Sequence, residues 1–199
     1  MLKKDEIKVL KVLFEDVTKE LTIMDIAKRL DQKYVQNYRT VHNLAKSGEV
    51  IIKIIGKRKV VKLDFRKSHS NYILAEIERA NDLCKKNTAV SVIRKDIQEI
   101  NKNCICILFG SQTKKTKPKS DIDLLFVIPQ EYNYEKFERS INDKLIATNT
   151  DRVIIPENSL HEMWANPQKL NLGNELLKKH IILYGAEHFL NLLRKHHVG

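Results

Sequence analysis

A chain of 199 residues with 42% hydrophobic content is long enough for one large or two small domains. No run of about 18 or more apolar residues occurs, and Met1-Leu2-Lys3-Lys4-Asp5 lacks the apolar stretch of a secretory leader, so a non-membrane, cytoplasmic protein is expected. The net charge is +11, and residues 1–67 carry most of it, with 17 Lys/Arg against 9 Asp/Glu, while the other 132 residues hold 19 against 16.

Ile7, Leu10, Leu13, Phe14 and Val17 recur at helical spacing and predict a helix over 4–17. Thr22 is placed to cap a second helix, Ile23 to Leu30, with Asp25 in its first turn. After an Asp31-Gln32 turn, a third helix is expected from Lys33 to Ser47, burying Val35, Tyr38, Val41 and Leu44 and ending at Gly48. Two β-branched runs, Val50 to Ile55 and Val60 to Leu63, predict a hairpin whose tip is Gly56-Lys57-Arg58-Lys59. Three helices and a hairpin look like a winged helix-turn-helix over residues 1–67. In that arrangement Lys33, Gln36, Asn37, Arg39, Thr40 and Asn43 face outward from the recognition helix. These are side chains that read base edges and grip phosphates, and Lys57, Arg58 and Lys59 reach the backbone or minor groove. The excess positive charge favours nucleic acid, duplex DNA first, as the partner. The rival readings are a protein-binding or dimerisation module and a Lys-rich solvated surface.

A helix over about 71–86 follows, as a linker (68–87) that either bridges the domains or supplies a homodimer interface. Asn87-Thr88 reads as a fresh cap for a helix through about Ile100. Beyond it strands are predicted at 104–109, 123–128, 152–155 and 181–184, and helices near 134–148, 157–165, 168–179 and 186–196. The fold class is therefore α/β (α+β), with a mixed sheet flanked by helices over 88–199. Cys84, Cys104 and Cys106 lack zinc spacing and read as free thiols packed as small apolar groups. Trp164 reads first as core and second as a base-stacking surface.

The strand before Gly110 ends in Leu108-Phe109-Gly110-Ser111, and Asp121-Ile122-Asp123 opens the next one. Residues i and i+2 of a strand share a face, so Asp121 and Asp123 project together, as a shared divalent ion requires. Hard carboxylate oxygens suit Mg²⁺, or Mn²⁺ in its place. Gly110, Ser111 and Gln112 offer backbone N–H groups and a hydroxyl to phosphate oxygens, and Lys114 and Lys115 add charge. Metal plus triphosphate points to phosphoryl or nucleotidyl transfer.

The stretch from Gly110 to Asp123 resembles the Gly-Ser…Asp-x-Asp signature of the DNA polymerase β-like nucleotidyltransferase superfamily, and most nearly its minimal, antitoxin-type members. The resemblance extends over roughly Thr88 to His196, including the ending Ile181-Ile182-Leu183-Tyr184-Gly185-Ala186-Glu187. It implies that Asp151, heading Arg152-Val153-Ile154-Ile155, is the third catalytic and metal-binding carboxylate beside Asp121 and Asp123. It also implies ATP or another NTP as substrate, transfer of NMP (AMP first) to a protein or RNA hydroxyl, and a toxin-type protein partner. A tyrosine such as Tyr72 or Tyr132 is a conceivable acceptor in cis. The small members carry Arg and Gly after Gly-Ser, whereas Gln112 to Lys119 has neither, and Lys supplies charge without the bidentate fork. The competing expectation is a DNA-binding regulator or antitoxin whose transferase domain is a nucleotide sensor or an inactive scaffold.

Overall fold

Three helices and a three-stranded sheet occupy the first third of the computed structural model, which describes residues 4–100, 103–113, 121–146 and 148–198. The first helix, α1 (Lys4–Leu13), buries Val9, Leu10, Val12 and Leu13. It stops short of the expected Val17 because Asp16 turns the chain, its carboxylate accepting from the Thr18 N–H and hydroxyl at 3.1 and 2.6 Å. The Val17 N–H then donates to Leu177 O at 2.9 Å, far along the chain. A short strand the sequence did not announce, β1 (Leu21–Thr22), leads into α2 (Ile23–Leu30). Thr22 and Asp25 cap α2 reciprocally: the Asp25 N–H donates to Thr22 Oγ1 and the Thr22 N–H to Asp25 Oδ2, both at 3.1 Å.

α3 (Tyr34–Lys46) is rotated from its expected phase. Asn37, Thr40, Val41 and Leu44 face the core, while Val35 is 59% exposed. Both sets fit a 3.6-residue period. The polar pair bonds the helix's own carbonyls, Asn37 Nδ2 to Lys33 O at 3.2 Å and Thr40 Oγ1 to Gln36 O at 3.0 Å, while Asn37 Oδ1 is buried without a hydrogen-bond partner. The hairpin of β2 (Val50–Ile55) and β3 (Arg58–Leu63) closes through Gly56-Lys57, with Ile55 opposite Arg58. Gly56, at φ +58°, takes the left-handed conformation such a two-residue turn needs. Arg58 and Lys59 therefore belong to the strand, not to the tip, and β1 pairs with the outer side of β3.

α4 (Ser70–Cys84) bridges the two halves, packing on α1 and on the far sheet. α5 (Thr88–Gln98) is capped by Asn87, whose side chain accepts from the Val90 N–H. Next come β4 (Ile105–Leu108), β5 (Ile122–Ile128), α6 (Tyr134–Lys144), β6 (Thr150–Pro156), α7 (Glu157–Trp164), α8 (Leu172–Lys178), β7 (Ile181–Tyr184) and α9 (Ala186–Val198). The sheet order is β6-β5-β4-β7, with β5 and β6 parallel and the other pairs antiparallel. One face, with Cys106, Leu108, Leu124 and Phe126, packs on Val90, Ile93 and Ile97 of α5 and Phe137 and Ile141 of α6.

The other face continues without a break into the first third. Ile107, Leu125, Trp164 and Phe189 share one buried cluster with Leu10, Phe14, Ile26 and Leu44. Each such side chain contributes about 1.5–3 kcal/mol on burial. Trp164 is fully buried, and its Nε1–H donates to Gly173 O at 2.9 Å, so it is core and offers no stacking surface. Cys104 and Cys106 are buried free thiols and Cys84 is half-buried; burial pushes the Cys104 thiol up to about 11. Tyr72 is buried among Phe14, Phe65 and His69, its hydroxyl on Glu49 O and Asp64 O, which removes it as an acceptor. Among the described residues no helix is long and apolar enough to cross a membrane.

Candidate functional site

β4 ends in a turn at Gly110, φ +71°, followed by one 3₁₀ turn over Ser111–Thr113. The Phe109 N–H donates to Asp123 O at 3.1 Å, so the sheet ladder itself holds this turn against the start of β5. Thr113 Oγ1 donates back to Gly110 O at 3.0 Å. Asp123 lies directly above Gly110: a Cβ there would overlap Asp123 Oδ2 and come within 2.9 Å of its Cγ. Glycine is thus required for both its backbone angle and its lack of a side chain. Gly110→Ala is expected to lower any activity of the site about 100-fold by displacing Asp123, since shifts near 1 Å carry that cost. Full activity in a purified Gly110→Ala protein would show that Asp123 need not sit there.

The parallel pairing of β5 with β6 sets Asp123 opposite Asp151. Arg152 turns to the α6 side, where its guanidinium donates to Asn142 Oδ1 at 2.8 Å and Leu145 O at 3.2 Å. Neighbouring strand residues alternate faces, so Asp151 shares the face of Asp123. Asp121, just before β5, accepts a short hydrogen bond from Asn149 Nδ2, and the Ile122 N–H donates to Asn149 O at 3.2 Å. Burial, then the charges of Asp151 and Asp121, push the Asp123 carboxyl above its ordinary range, against the opposing Lys179 ammonium.

Excess negative charge at one edge of a sheet is what a divalent cation relieves. Among the described residues no three His, Cys, Asp or Glu side chains form a ready-made metal cage. Mg²⁺ rarely uses such a cage; one or two carboxylates plus substrate phosphates and water are its usual ligands, and this aspartate set fits that habit. Ser111 is exposed beside the turn and Gln112 is buried under it, while Lys114 and Lys115 fall outside the described residues. Sequence reasoning missed Asn149 and Lys179. Asn149 lies two residues before Asp151 and carried no periodic or motif signal, and Lys179 was one lysine among many.

On the first third, Lys33, Gln36, Arg39, Asn43, Lys57 and Arg58 are exposed, and Gln36 donates to Asp5 Oδ2 at 2.9 Å. Asn37 and Thr40, expected to face outward, are buried by the rotation of α3 and present nothing to a ligand. Lys59 bends inward, its ammonium 3.0 Å from Tyr38 Oη and 4.7 Å from the ring centre, so it braces the hairpin on α3.

The model of the nucleotidyltransferase domain family matches residues 90–188, a span that takes in Gly110, all three aspartates and Lys179. Neither a curated protein nor a solved structure matches the chain.

Proposed function

We propose, from the match of residues 90–188 to the nucleotidyltransferase domain model, that the protein transfers a nucleoside monophosphate, AMP from ATP first, to an acceptor hydroxyl. The observation that carries the reading is the register of Asp123 against Asp151 directly over Gly110. Asp121, Asp123 and Asp151 would hold Mg²⁺ or Mn²⁺, which when bound supplies charge stabilisation at the reacting phosphorus. The Gly110–Gln112 backbone and the Ser111 hydroxyl cradle the β- and γ-phosphates. Asp151, on the neighbouring strand, orients the acceptor and takes its proton. The acceptor oxygen bonds the α-phosphorus as the bond to pyrophosphate breaks, and pyrophosphate leaves.

The first third acts as a winged helix that grips nucleic acid with Lys33, Gln36, Arg39, Asn43, Lys57 and Arg58. Lys57→Glu with Arg58→Glu is expected to weaken duplex binding across all sequences and to lower the salt slope by about 2. An unchanged slope in a fluorescence titration would remove these residues from the interface. A loop from Gln112 to Lys119 without Arg or Gly favours one second reading, a nucleic-acid-binding regulator whose transferase fold only senses nucleotide.

The deciding assay incubates the protein with Mg²⁺, α-phosphate-labelled NTPs, RNA and cell lysate, beside Asp123→Ala. Label on RNA or protein only with the aspartate intact supports the transferase. Absence of label with every NTP, alongside intact duplex binding, moves the reading to the regulator.

A further inference from the structure

The far end of the hairpin leaves two large apolar side chains in solvent. Ile54 is 73% exposed and Ile55 57%. β2 is an outer strand of its sheet, in the order β1-β3-β2, and outer strands of soluble proteins ordinarily carry charge or proline at such places. Neither isoleucine serves the core, to which the hairpin contributes Val50, Val61 and Leu63 nearer its base. Ile54 stands opposite Lys59 and Ile55 opposite Arg58. Successive strand residues alternate faces, so the two isoleucines flank the tip on both sides. Only the Gly56-Lys57 turn lies beyond them.

The same tip is cationic. A groove of about 360 Å³ separates it from the starts of α2 and α3, and Lys28, Lys57 and Arg58 line it with Met24 and Tyr34. Asp25 is the acid on its wall; Lys28 acts on it through space, and its carboxylate accepts from the Thr22 N–H and hydroxyl at 3.1 and 2.6 Å. Among the described residues no carboxylate forms an ion pair with Lys28, Lys57 or Arg58, whereas Lys53, farther down the hairpin, is matched by Glu20 at 2.9 Å. Unpaired positive charge favours an anionic partner, and exposed apolar flanks favour one with apolar surface behind its charge. Stacked bases inside a phosphate backbone offer both. An acidic protein surface offers the first without the second. The two-residue turn fits the mouth of a minor groove about 6 Å across, and the isoleucines behind it follow only if the groove opens. Apolar wedges of this kind part a base step and bend the duplex.

We propose that the hairpin tip is an apolar wedge: Ile54 and Ile55 enter the minor groove of duplex DNA and unstack a base step, while Lys28, Lys57 and Arg58 hold the flanking phosphates. The wedge rests on the nucleic-acid reading of the first third and adds to it a deformation of the duplex, which phosphate contacts alone do not require. Sites with easily unstacked pyrimidine–purine steps are then favoured over stiff A-tracts.

The full chain is titrated, without NTP, against two short DNA duplexes carrying a donor–acceptor pair at their ends. One has a fluorescent adenine analogue within central T-A steps, and the other is an A-tract. The wild-type protein is expected to bind the T-A duplex about tenfold tighter, to brighten the analogue and to bring the duplex ends closer. Ile54→Ser with Ile55→Ser, at two exposed positions that leave the core intact, is expected to abolish all three effects. Its salt slope should change by less than about 0.9, the value of one phosphate contact, because the cations remain. Lys57→Glu with Arg58→Glu lowers the slope instead. A duplex that is bound with neither brightening nor bending overturns the wedge and leaves the interface standing, as does a serine variant that still brightens the analogue. No duplex binding at all refutes the nucleic-acid reading, and the wedge with it. Both proteins are also sedimented without DNA. A wild-type dimer that becomes a monomer in the serine variant shows that the isoleucines cover a second copy of the chain, and overturns the wedge.

Discussion

Asp123→Asn should lower nucleotide transfer on the order of 10³-fold or more while raising the melting temperature of the metal-free protein at neutral pH. The two effects have one cause. Asp123 sits over Gly110 and opposite Asp151, half-buried, and burial together with the two neighbouring carboxylates lifts its folded pKa. An acid whose folded pKa is raised binds more protons folded than unfolded, so stability falls as pH rises from the unfolded carboxylate value through the folded one. Above that folded value the metal-free protein bears the repulsion in full. Asparagine removes it and removes a metal ligand with it. Mg²⁺ should therefore raise the melting temperature of the wild-type protein and have little effect on Asp123→Asn. Thermal scans in chelator and in Mg²⁺, beside the labelled-NTP assay, decide the matter. An Asn variant that melts below wild type, or that still transfers, sinks this account of the site.

Glu76→Ala should destabilise the protein by about 3–5 kcal/mol, the usual cost of breaking a buried ion pair. For a chain of this size that is a fall in Tm on the order of 6–20 °C. Glu76 is wholly buried in α4, and Arg79 donates to both its oxygens at 2.6 and 2.8 Å. Arg79 also donates to His180 O at 2.6 Å, and His180 Nε2 lies 3.3 Å from Glu76 Oε1. Removing the carboxylate strands a guanidinium that is almost fully enclosed. Burial alone would raise the Glu76 carboxyl, but Arg79 and His180 outweigh it and hold the group below its ordinary value. Its contribution is therefore complete above the unfolded glutamate pKa and is lost as pH falls through the lower folded one. Urea titration at neutral and acidic pH checks both parts. A loss under about 1 kcal/mol at neutral pH would mean that the cluster adds little.

Elements whose periodicity had one solution were legible in the sequence: α2 with its Thr22 cap, α5 with Asn87, and the apolar runs that became β4, β5 and β7. The turn at Gly110 and the adjacent Asp121 and Asp123 were legible because a local pattern encodes them. Three things were not. The phase of α3 had two solutions, and the burial of Asn37 and Thr40 depends on side-chain bonds to the helix's own carbonyls, which hydrophobicity does not register. The pairing of Asp123 with Asp151 was implied only through the resemblance, because the parallel register of β6 is a non-local fact that the residues alone do not encode. The buried Glu76–Arg79–His180 cluster joins residues about a hundred positions apart.

The bond from Val17 to Leu177 and the shared buried cluster bear on the protein's ancestry and exchangeability. Phe14 and Phe65 from the first third stack edge-on against Tyr72 of α4, and Phe65 also meets His197 of α9. A seam of that kind is sequence-matched on both sides. A transferase half paired with a foreign helix-and-hairpin half would leave those aromatic rings facing unmatched surfaces. A hybrid should regain solubility only when α1, Phe65 and the side of α4 that carries Tyr72 are inherited together, so recombination within this lineage is expected to preserve the seam as one unit and to vary the exposed side of α3 and the hairpin.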